Sequence, residues 1–302
     1  MKGDEGIMQE EIGMSQRAVG FIVIMLIGLV GVHSQLYSLW ELSFGHSQAS
    51  ELYSYMPAIP FISAFFFWLN RKSIFEEFYS SALGGAILLA VAAIIYILGT
   101  SIASTEIHDN ELSWAMLSLV IWLMGGFVCF YGFHAFKKAI FPLCFLGFMI
   151  PIPSFILDPY IRILQRFSAE VSFVAFKSIG VPIFRDGMVF NLPGLSIEVA
   201  KQCSGIRSSL ALIIFTVICG YIFLKRNVSR LILLAFVVPI AVVKNGLRIV
   251  TLGLLGAYVD KTYITNHWLH RSGGIVFFIA GLLVMFLPVL WSLRTLEKKT
   301  II

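Results

Sequence analysis

The sequence predicts an all-α integral membrane protein, a bundle of about eight transmembrane helices, and three observations support this class. Apolar residues make up 58% of the 302-residue chain and charged residues only 13%, and the mean hydropathy is +0.88, far from the balance of a water-soluble domain. The apolar residues form runs long enough to cross a bilayer. Basic residues lie mostly between those runs, so the net charge of +5 indicates membrane topology and no nucleic-acid partner.

Eight apolar runs are candidate transmembrane spans. They cover residues 18–39, 56–70, 81–102, 113–136, 139–157, 208–224, 231–258 and 273–293. The second and fifth runs contain prolines, which membrane helices tolerate at their ends or at kinks where neighbouring helices satisfy the freed carbonyls. Because no repeat or linker separates the runs, we expect a single polytopic domain over residues 1–302.

The basic residues also predict the orientation of the spans. Twelve of them occupy alternate connecting segments: Lys2, Arg17, Arg71, Lys72, Lys137, Lys138, Lys225, Arg226, Arg230, Arg294, Lys298 and Lys299. The opposite segments 41–55 and 103–112 contain no lysine or arginine. By the positive-inside rule, both termini face the cytoplasm and the segment before the sixth span faces outward.

That outward segment begins with a predicted amphipathic helix over residues 158–180. Asp158, Arg162, Arg166 and Glu170 recur every four residues, and a set of apolar residues lies on another face. This pattern predicts a helix that lies on the membrane surface or on the bundle. The apolar set is Ile161, Leu164, Phe167, Val171 and Val174. Turn signals at Asp186-Gly187 and Pro193-Gly194 then predict a short β-hairpin-like loop.

The loop leads to a polar stretch, residues 196–208, that contains Cys203. A thiol in the first turn of a helix faces unsatisfied backbone amides, which favour the thiolate, so Cys203 is a candidate nucleophile. The alternative is that Cys203 is a small packing residue, as we expect for Cys129, Cys144 and Cys219. Supporting or substrate-binding positions in the same stretch are Glu198, Ser204, Gly205 and Arg207, the last predicted to lie one turn below Cys203 on the same helix face.

Two later segments place further polar residues near the outward membrane face. The seventh span carries Lys244, Asn245 and Arg248. A charged side chain at membrane depth indicates a functional site. For Lys244 the alternative is a side chain that snorkels to the membrane surface. His270, and with weaker support His267, precede the last span. Cys203, Arg248 and His270 would form a set of nucleophile, charge stabiliser and general acid and base. No cofactor and no metal are expected.

These residues carry a resemblance to a known family. The segment Val199-Ala-Lys-Gln-Cys-Ser-Gly-Ile-Arg-Ser208, the segment Asn245-Gly-Leu-Arg-Ile249, and His270 followed by Gly274 and Phe278 resemble the three signature blocks of the exosortase/archaeosortase family. The resemblance covers about residues 141–293. It implies a membrane-embedded cysteine transpeptidase that cleaves the C-terminal sorting signal of exported proteins, a short motif followed by an apolar helix and a basic tail.

The resemblance also implies a site on the extracytoplasmic face of a bacterial inner membrane. Cys203 would form a thioester with the exported protein, which a surface acceptor such as a polysaccharide or a lipid would resolve. We expect Arg248 rather than Arg207 to stabilise the oxyanion, because such a cation acts best from across a cleft. Membrane lipids are the other expected partners. The alternative is a non-catalytic membrane component or transporter in surface polysaccharide export, with Lys244, Asn245 and Arg248 lining its pathway.

Overall fold

The computed structural model describes residues 2–45, 52–76, 79–106, 108–265 and 274–301. Helices dominate these ranges, and one small sheet accompanies them. The predicted class, an all-α integral membrane protein, is confirmed. The chain divides into two compact units, residues 1–154 and 155–302, and the expectation of a single domain stays a prediction.

The described part of the first unit is a set of helices that pack through glycines and aromatic rings. Gly85 faces the backbone of Cys129, and Gly99 faces Trp114, so closely that an added Cβ atom would lie 2.5 Å from the Cα of Cys129 or the Cβ of Trp114. Such close approach lets helices associate without polar groups. The helices are α1 (Lys2–Gly31), α2 (His33–Phe44), α3 (Ala58–Ile74), α4 (Ala82–Glu106), α5 (His108–Lys138) and α6 (Ile140–Phe145), with a 3-10 turn at Leu146–Met149.

Helix α5 is kinked at Gly132, which has a φ of +78° and a ψ of 176°. A Cβ atom at this position would collide with the carbonyl of Tyr79, so only glycine fits both the backbone conformation and the approaching segment. The backbone amide of Ser81 bonds to the carbonyl of Val128 at 3.4 Å. The connection between α3 and α4 is thereby fixed against α5.

The described part of the second unit contains helices around a three-stranded antiparallel sheet of order β1-β2-β3. The register pairs Arg185 with Phe190 and Phe190 with Ile197. Turns at Gly187 and Gly194 join the strands, so both predicted turns are confirmed and the predicted hairpin gains a third strand. The elements are α7 (Ser154–Ser178), β1 (Phe184–Asp186), β2 (Val189–Leu192), β3 (Leu195–Glu198), α8 (Ile206–Phe223), α9 (Asn227–Ala235), α10 (Val237–Tyr258), α11 (Thr262–Thr265), α12 (Gly274–Gly281) and α13 (Leu287–Ile301).

Five helical segments within the described ranges are long and apolar enough to cross a membrane: Ala82–Ser101, Asn110–Lys138, Ile206–Phe223, Asn227–Tyr258 and Gly274–Lys299. Two further spans qualify only as pairs of helices joined by a break, which gives up to seven. The second predicted span corresponds to α3, whose 17 residues lie at the short limit for crossing a bilayer. The protein is therefore a multi-pass membrane protein, and within the described residues fewer continuous spans qualify than the eight predicted.

Helix α7 is amphipathic, but its buried face differs from the predicted one. Ile161 and Leu164 are buried as expected, whereas Phe167 is 53% exposed and Val174 is 61% exposed. The buried face continues through Ser168, Ser172 and Phe176, and the hydroxyl of Ser172 donates to the carbonyl of Gly246 at 3.2 Å. The predicted apolar face was therefore wrong at Phe167 and Val174, whereas Val171 packs against Gly246, where an added Cβ atom would lie 2.6 Å from its Cγ1.

Candidate active site

Cys203 lies in a 3-10 turn, Lys201–Ser204, that precedes the long helix α8. Gly205 follows the turn with a φ of +77°, and α8 begins only at Ile206. The left-handed backbone of Gly205 separates the turn from the helix. Cys203 is therefore outside the first helical turn, and Arg207 is not one helical turn below it, so both placements predicted from the sequence were wrong.

Helix α10 holds this turn through Asn245. The side-chain amide of Asn245 donates to the backbone carbonyl of Cys203 at 2.8 Å, and the Asn245 side chain is only 1% exposed. A Cβ atom at Gly205 would lie 2.9 Å from the Cγ of Asn245. Gly205 is thus required twice, for its positive φ and for the close approach of α10. Ser204 is buried beside it, and its hydroxyl oxygen accepts the amide of Ile206 at 3.3 Å.

Cys203 and Arg248 line the same small cavity, with a volume of about 30 Å³. Glu198, at the end of β3, contributes to the same lining, which is otherwise apolar and includes Ile264 of α11. This volume accommodates about two or three water molecules at about 10–15 Å³ each. Arg207 is exposed on α8 and is absent from the cavity lining. The structure thus places Arg248, and not Arg207, in the lining of the cavity that Cys203 shares.

Arg248 and Cys203 also interact across the cavity. The guanidinium of Arg248 and the thiol of Cys203 are close enough to interact electrostatically, and burial around Arg248 weakens the screening of that interaction by water. The side chain of Cys203 is half-buried, so its sulfur is partly accessible.

Helix α7 supports the Cys203 turn from a second direction. The amide of Gln165 donates to the carbonyl of Val199 at 3.0 Å, and the ammonium of Lys201 pairs with Asp158 at 3.3 Å. The sequence placed the charges of α7 on one face of an amphipathic helix and predicted no contact for Gln165. The sequence signal for this contact was an amide side chain at Gln165, between the buried positions Leu164 and Ser168.

The sequence left open whether Lys244 snorkels to the membrane surface or belongs to a functional site. Its side chain is only 5% exposed, its ammonium donates to the hydroxyl of Ser208, and the ring of Phe278 lies 5.9 Å from the nitrogen. Lys244 therefore does not snorkel toward solvent. Its position beside Asn245 in a membrane span was a signal for a buried polar contact.

The other cysteines differ in their surroundings. Cys219 is buried in an apolar cluster with Leu212 and Phe286, which confirms its packing role, and the half-buried Cys129 packs against Gly85. Cys144 is exposed on α6, so its predicted packing role was wrong.

The two histidine predictions, His267 and His270, fall within 266–273, outside the described residues.

Comparison with known proteins identifies a family. A family model described as transmembrane exosortase matches residues 46–287. This range begins well before residue 141, where the resemblance in sequence began, ends at residue 287 rather than 293, and includes parts of both compact units. No curated protein and no solved structure gives a match.

Proposed function

The chain belongs to the transmembrane exosortase family, and from this premise we propose that it is a membrane-embedded cysteine transpeptidase with Cys203 as its nucleophile. The observation that carries the proposal is the cavity shared by Cys203 and Arg248. A thiolate and a guanidinium that face one small cavity can attack a carbonyl and stabilise the resulting oxyanion. The substrates would be exported proteins whose C-terminal sorting signal combines a short motif, an apolar helix and a basic tail.

In the first step, the sulfur of Cys203 attacks the scissile peptide carbonyl and a C–S bond forms. The carbonyl oxygen becomes an oxyanion, which the guanidinium of Arg248 stabilises. His270 donates a proton to the leaving amine, the C–N bond breaks, and the exported protein is left as a thioester. Because the cavity holds only about 30 Å³, the reacting carbonyl enters it while the rest of the peptide lies at its mouth.

In the second step, an amine or hydroxyl of a surface acceptor, such as a polysaccharide or a lipid, attacks the thioester carbonyl. His270 takes the proton of that nucleophile, the C–S bond breaks, and the Cys203 thiolate is restored. Water as the nucleophile would give hydrolysis instead of transfer. Both steps use the same oxyanion position, so Arg248 acts twice in each cycle.

Other residues would support this chemistry without taking part in bond changes. Asn245 fixes the carbonyl of Cys203, and Gly205 and Ser204 shape the turn that carries the thiol. Glu198 lines the cavity and would contact the substrate backbone or its flanking side chains. Arg207, exposed on α8, would position the substrate outside the cavity, and His267 would be a further supporting residue.

The test of the nucleophile uses an exported reporter that carries such a C-terminal signal, co-expressed with the protein. Cys203→Ala and Cys203→Ser should abolish processing, while the amount of inserted protein stays unchanged. Cys129→Ala, Cys144→Ala and Cys219→Ala are the matched controls and should process the reporter. Processing that survives in Cys203→Ala would refute the assignment.

The proposed location is a bacterial inner membrane, with both termini in the cytoplasm and the site on the opposite face. In a chain whose only cysteine is Cys203, a membrane-impermeant thiol reagent should label intact cells, or spheroplasts where an outer membrane intervenes. The control is a chain whose only cysteine is introduced by Lys298→Cys, which should react only after the inner membrane is permeabilised. The reverse pattern would invert the proposed topology.

A further inference from the structure

We infer that Lys244 is a positioning residue that fixes the Cys203 turn relative to Arg248 by joining three helices at one point. The inference rests on the proposed role of Cys203 as nucleophile. Lys244 is only 5% exposed and lies in a candidate membrane span, where a buried ammonium group is costly unless the surrounding groups compensate it.

The surroundings of Lys244 are built to hold its side chain inward. Its ammonium donates to the hydroxyl of Ser208 on α8, and the ring face of Phe278 on α12 lies 5.9 Å away. Gly281, also on α12, leaves room for the aliphatic stem, since a Cβ atom there would lie 3.3 Å from the Cγ of Lys244. Within the described residues, no carboxylate pairs with this ammonium.

The bond to Ser208 continues to the cysteine turn. The hydroxyl of Ser208 donates its proton to the carbonyl of Gly205 at 2.9 Å while it accepts from Lys244. The next residue on α10, Asn245, donates to the carbonyl of Cys203 at 2.8 Å. Adjacent residues of α10 therefore hold the two carbonyls on either side of Ser204.

Lys244 also acts on Arg248. The two cations are four residues apart, so they lie on the same face of α10, and like charges at this spacing repel each other. Because Ser208 and Phe278 retain the ammonium of Lys244, the repulsion directs the Arg248 guanidinium away from Lys244, toward the cavity that it shares with Cys203.

The three helices that meet at Lys244 are those associated with the proposed catalytic residues. Helix α8 follows the Cys203 turn, α10 carries Arg248, and α12 begins four residues after His270 in the sequence. A residue that joins these helices sets the position of the Cys203 turn relative to Arg248, and it also contacts the helix that follows His270 in the sequence. Misplacing such groups by about 1 Å costs rates on the order of 100-fold.

The test measures the reactivity of the thiol itself, which needs no substrate. In a chain in which Cys129, Cys144 and Cys219 are replaced by alanine, Cys203 is alkylated with an impermeant maleimide in membrane vesicles across a range of pH. Lys244→Met should move the rise of the alkylation rate to higher pH, because a thiol held less firmly beside Arg248 forms its thiolate less readily. One pH unit of displacement corresponds to about tenfold slower alkylation near neutral pH.

Ser208 supplies an isosteric pair of variants that separates positioning from packing. Ser208→Thr keeps the hydroxyl and should retain the parent profile within about twofold, whereas Ser208→Val, with the same shape but no hydroxyl, should shift it as Lys244→Met does. The double variant Lys244→Met with Ser208→Val should shift the alkylation profile no further than either single variant, since each substitution removes the same hydrogen bond between Lys244 and Ser208. Lys72→Met, on the exposed end of α3, is the control for loss of a lysine.

Equal profiles for Ser208→Thr and Ser208→Val would overturn the inference, and so would additive effects in the double variant. A lower amount of inserted protein with an unchanged profile per molecule would mean a structural role only, which also overturns it. If Lys244→Met does not insert, the Ser208 pair decides. If the profiles shift as expected but the parent processes no reporter, the proposed function fails while the inference stands.

Discussion

The α4–α5 pair and the α8–α10 pair show two different ways in which helices of this protein associate. Between α4 and α5, Gly85 and Gly99 bring the helices into direct contact with Cys129 and Trp114, through apolar atoms and backbone. Between α8 and α10, the contact includes a buried ammonium bonded to a hydroxyl, and Asn245 of α10 bonds to the turn that precedes α8. Both pairs consist of candidate membrane-spanning helices.

The difference indicates which of the two helix pairs must keep a precise geometry. Apolar helices associate in lipid through close packing alone, and small shifts along such a contact cost little. A buried polar group loses much of its stabilisation when its partner moves, so a polar contact fixes one geometry. We therefore interpret the first pair as a scaffold and the second as the part of the protein that holds a reactive group in place.

The largest expected effect comes from the cation in the polar region. Arg248→Lys keeps the charge but loses the planar fork of donors, and removing one oxyanion donor costs about 100- to 1000-fold in rate. Arg207 belongs to the proposed site but lies outside the cavity lining, so Arg207→Lys should lower the processing rate by no more than about tenfold. Initial rates of reporter processing at equal amounts of inserted protein measure both, and the opposite ranking would require the two roles to be exchanged.

Asn245→Leu tests the bond that fixes the turn. The substitution retains most of the side-chain volume but leaves the carbonyl of Cys203 without its donor, at a cost of about 1–3 kcal/mol for a buried group. We expect processing to fall by about 10- to 100-fold. Ser63→Ala is the matched control, because Ser63 also donates to a buried carbonyl, that of Pro142 at 2.6 Å, but in the first unit. Ser63→Ala should lower thermal stability and leave the rate per inserted molecule unchanged.

Gly85→Ala tests the scaffold. The new methyl group would lie 2.5 Å from the Cα of Cys129, and because backbone cannot move aside as a side chain can, overpacking should cost about 1–3 kcal/mol. The expected result is a lower midpoint of thermal denaturation in detergent with normal processing per molecule. Gly31→Ala has no atom within 4 Å of its added Cβ and should leave the midpoint unchanged. A loss of processing in Gly85→Ala at normal stability would contradict the division between scaffold and site.

The smallest expected effect concerns a polar contact far along the chain from Cys203. The carboxylate of Glu297, on α13, accepts the backbone amides of Lys225 at 2.8 Å and Arg226 at 2.9 Å, where α9 begins. A negative charge at a helix N-terminus is worth about 0.3–1 kcal/mol. Glu297→Gln should therefore lower stability by about that amount, measured by denaturation, without altering alkylation of Cys203. A change in the alkylation rate would link this end of the second unit to the site.

The sequence was most informative where composition or a turn signal determines structure. The apolar runs predicted the membrane class, and Asp186-Gly187 and Pro193-Gly194 predicted the turns of the sheet. The shared cavity of Cys203 and Arg248 agrees with the preference for Arg248 over Arg207, although their catalytic roles stay predictions. The sequence did not predict the local backbone geometry beside Cys203. The left-handed conformation of Gly205 moves the start of α8 past Cys203, and a single sequence does not distinguish such a glycine from one inside a helix.

Burial on α7 was misjudged for a related reason. Hydrophobicity favoured Phe167 and Val174 as the packed residues, but Ser168 and Ser172 lie on the buried face instead, and the hydroxyl of Ser172 bonds to the carbonyl of Gly246. In a membrane the apolar residues are as stable toward lipid as toward protein, so periodicity indicates an apolar face without indicating which face meets another helix. Contacts such as Lys244 with Ser208 join residues 36 positions apart, and no local pattern carries that information.

The small size of the cavity has a consequence for chemical inhibition. An electrophilic group that reacts with Cys203 must fit a space of about 30 Å³, so compact warheads such as a nitrile should enter where an aryl ketone would be excluded. An electrophile that develops negative charge on attack would gain from Arg248, as the oxyanion does. Affinity would then have to come from groups attached outside the cavity, where an exported protein would lie. Selective covalent inhibitors of this protein should accordingly combine a very small reactive group with a peptide-like recognition element.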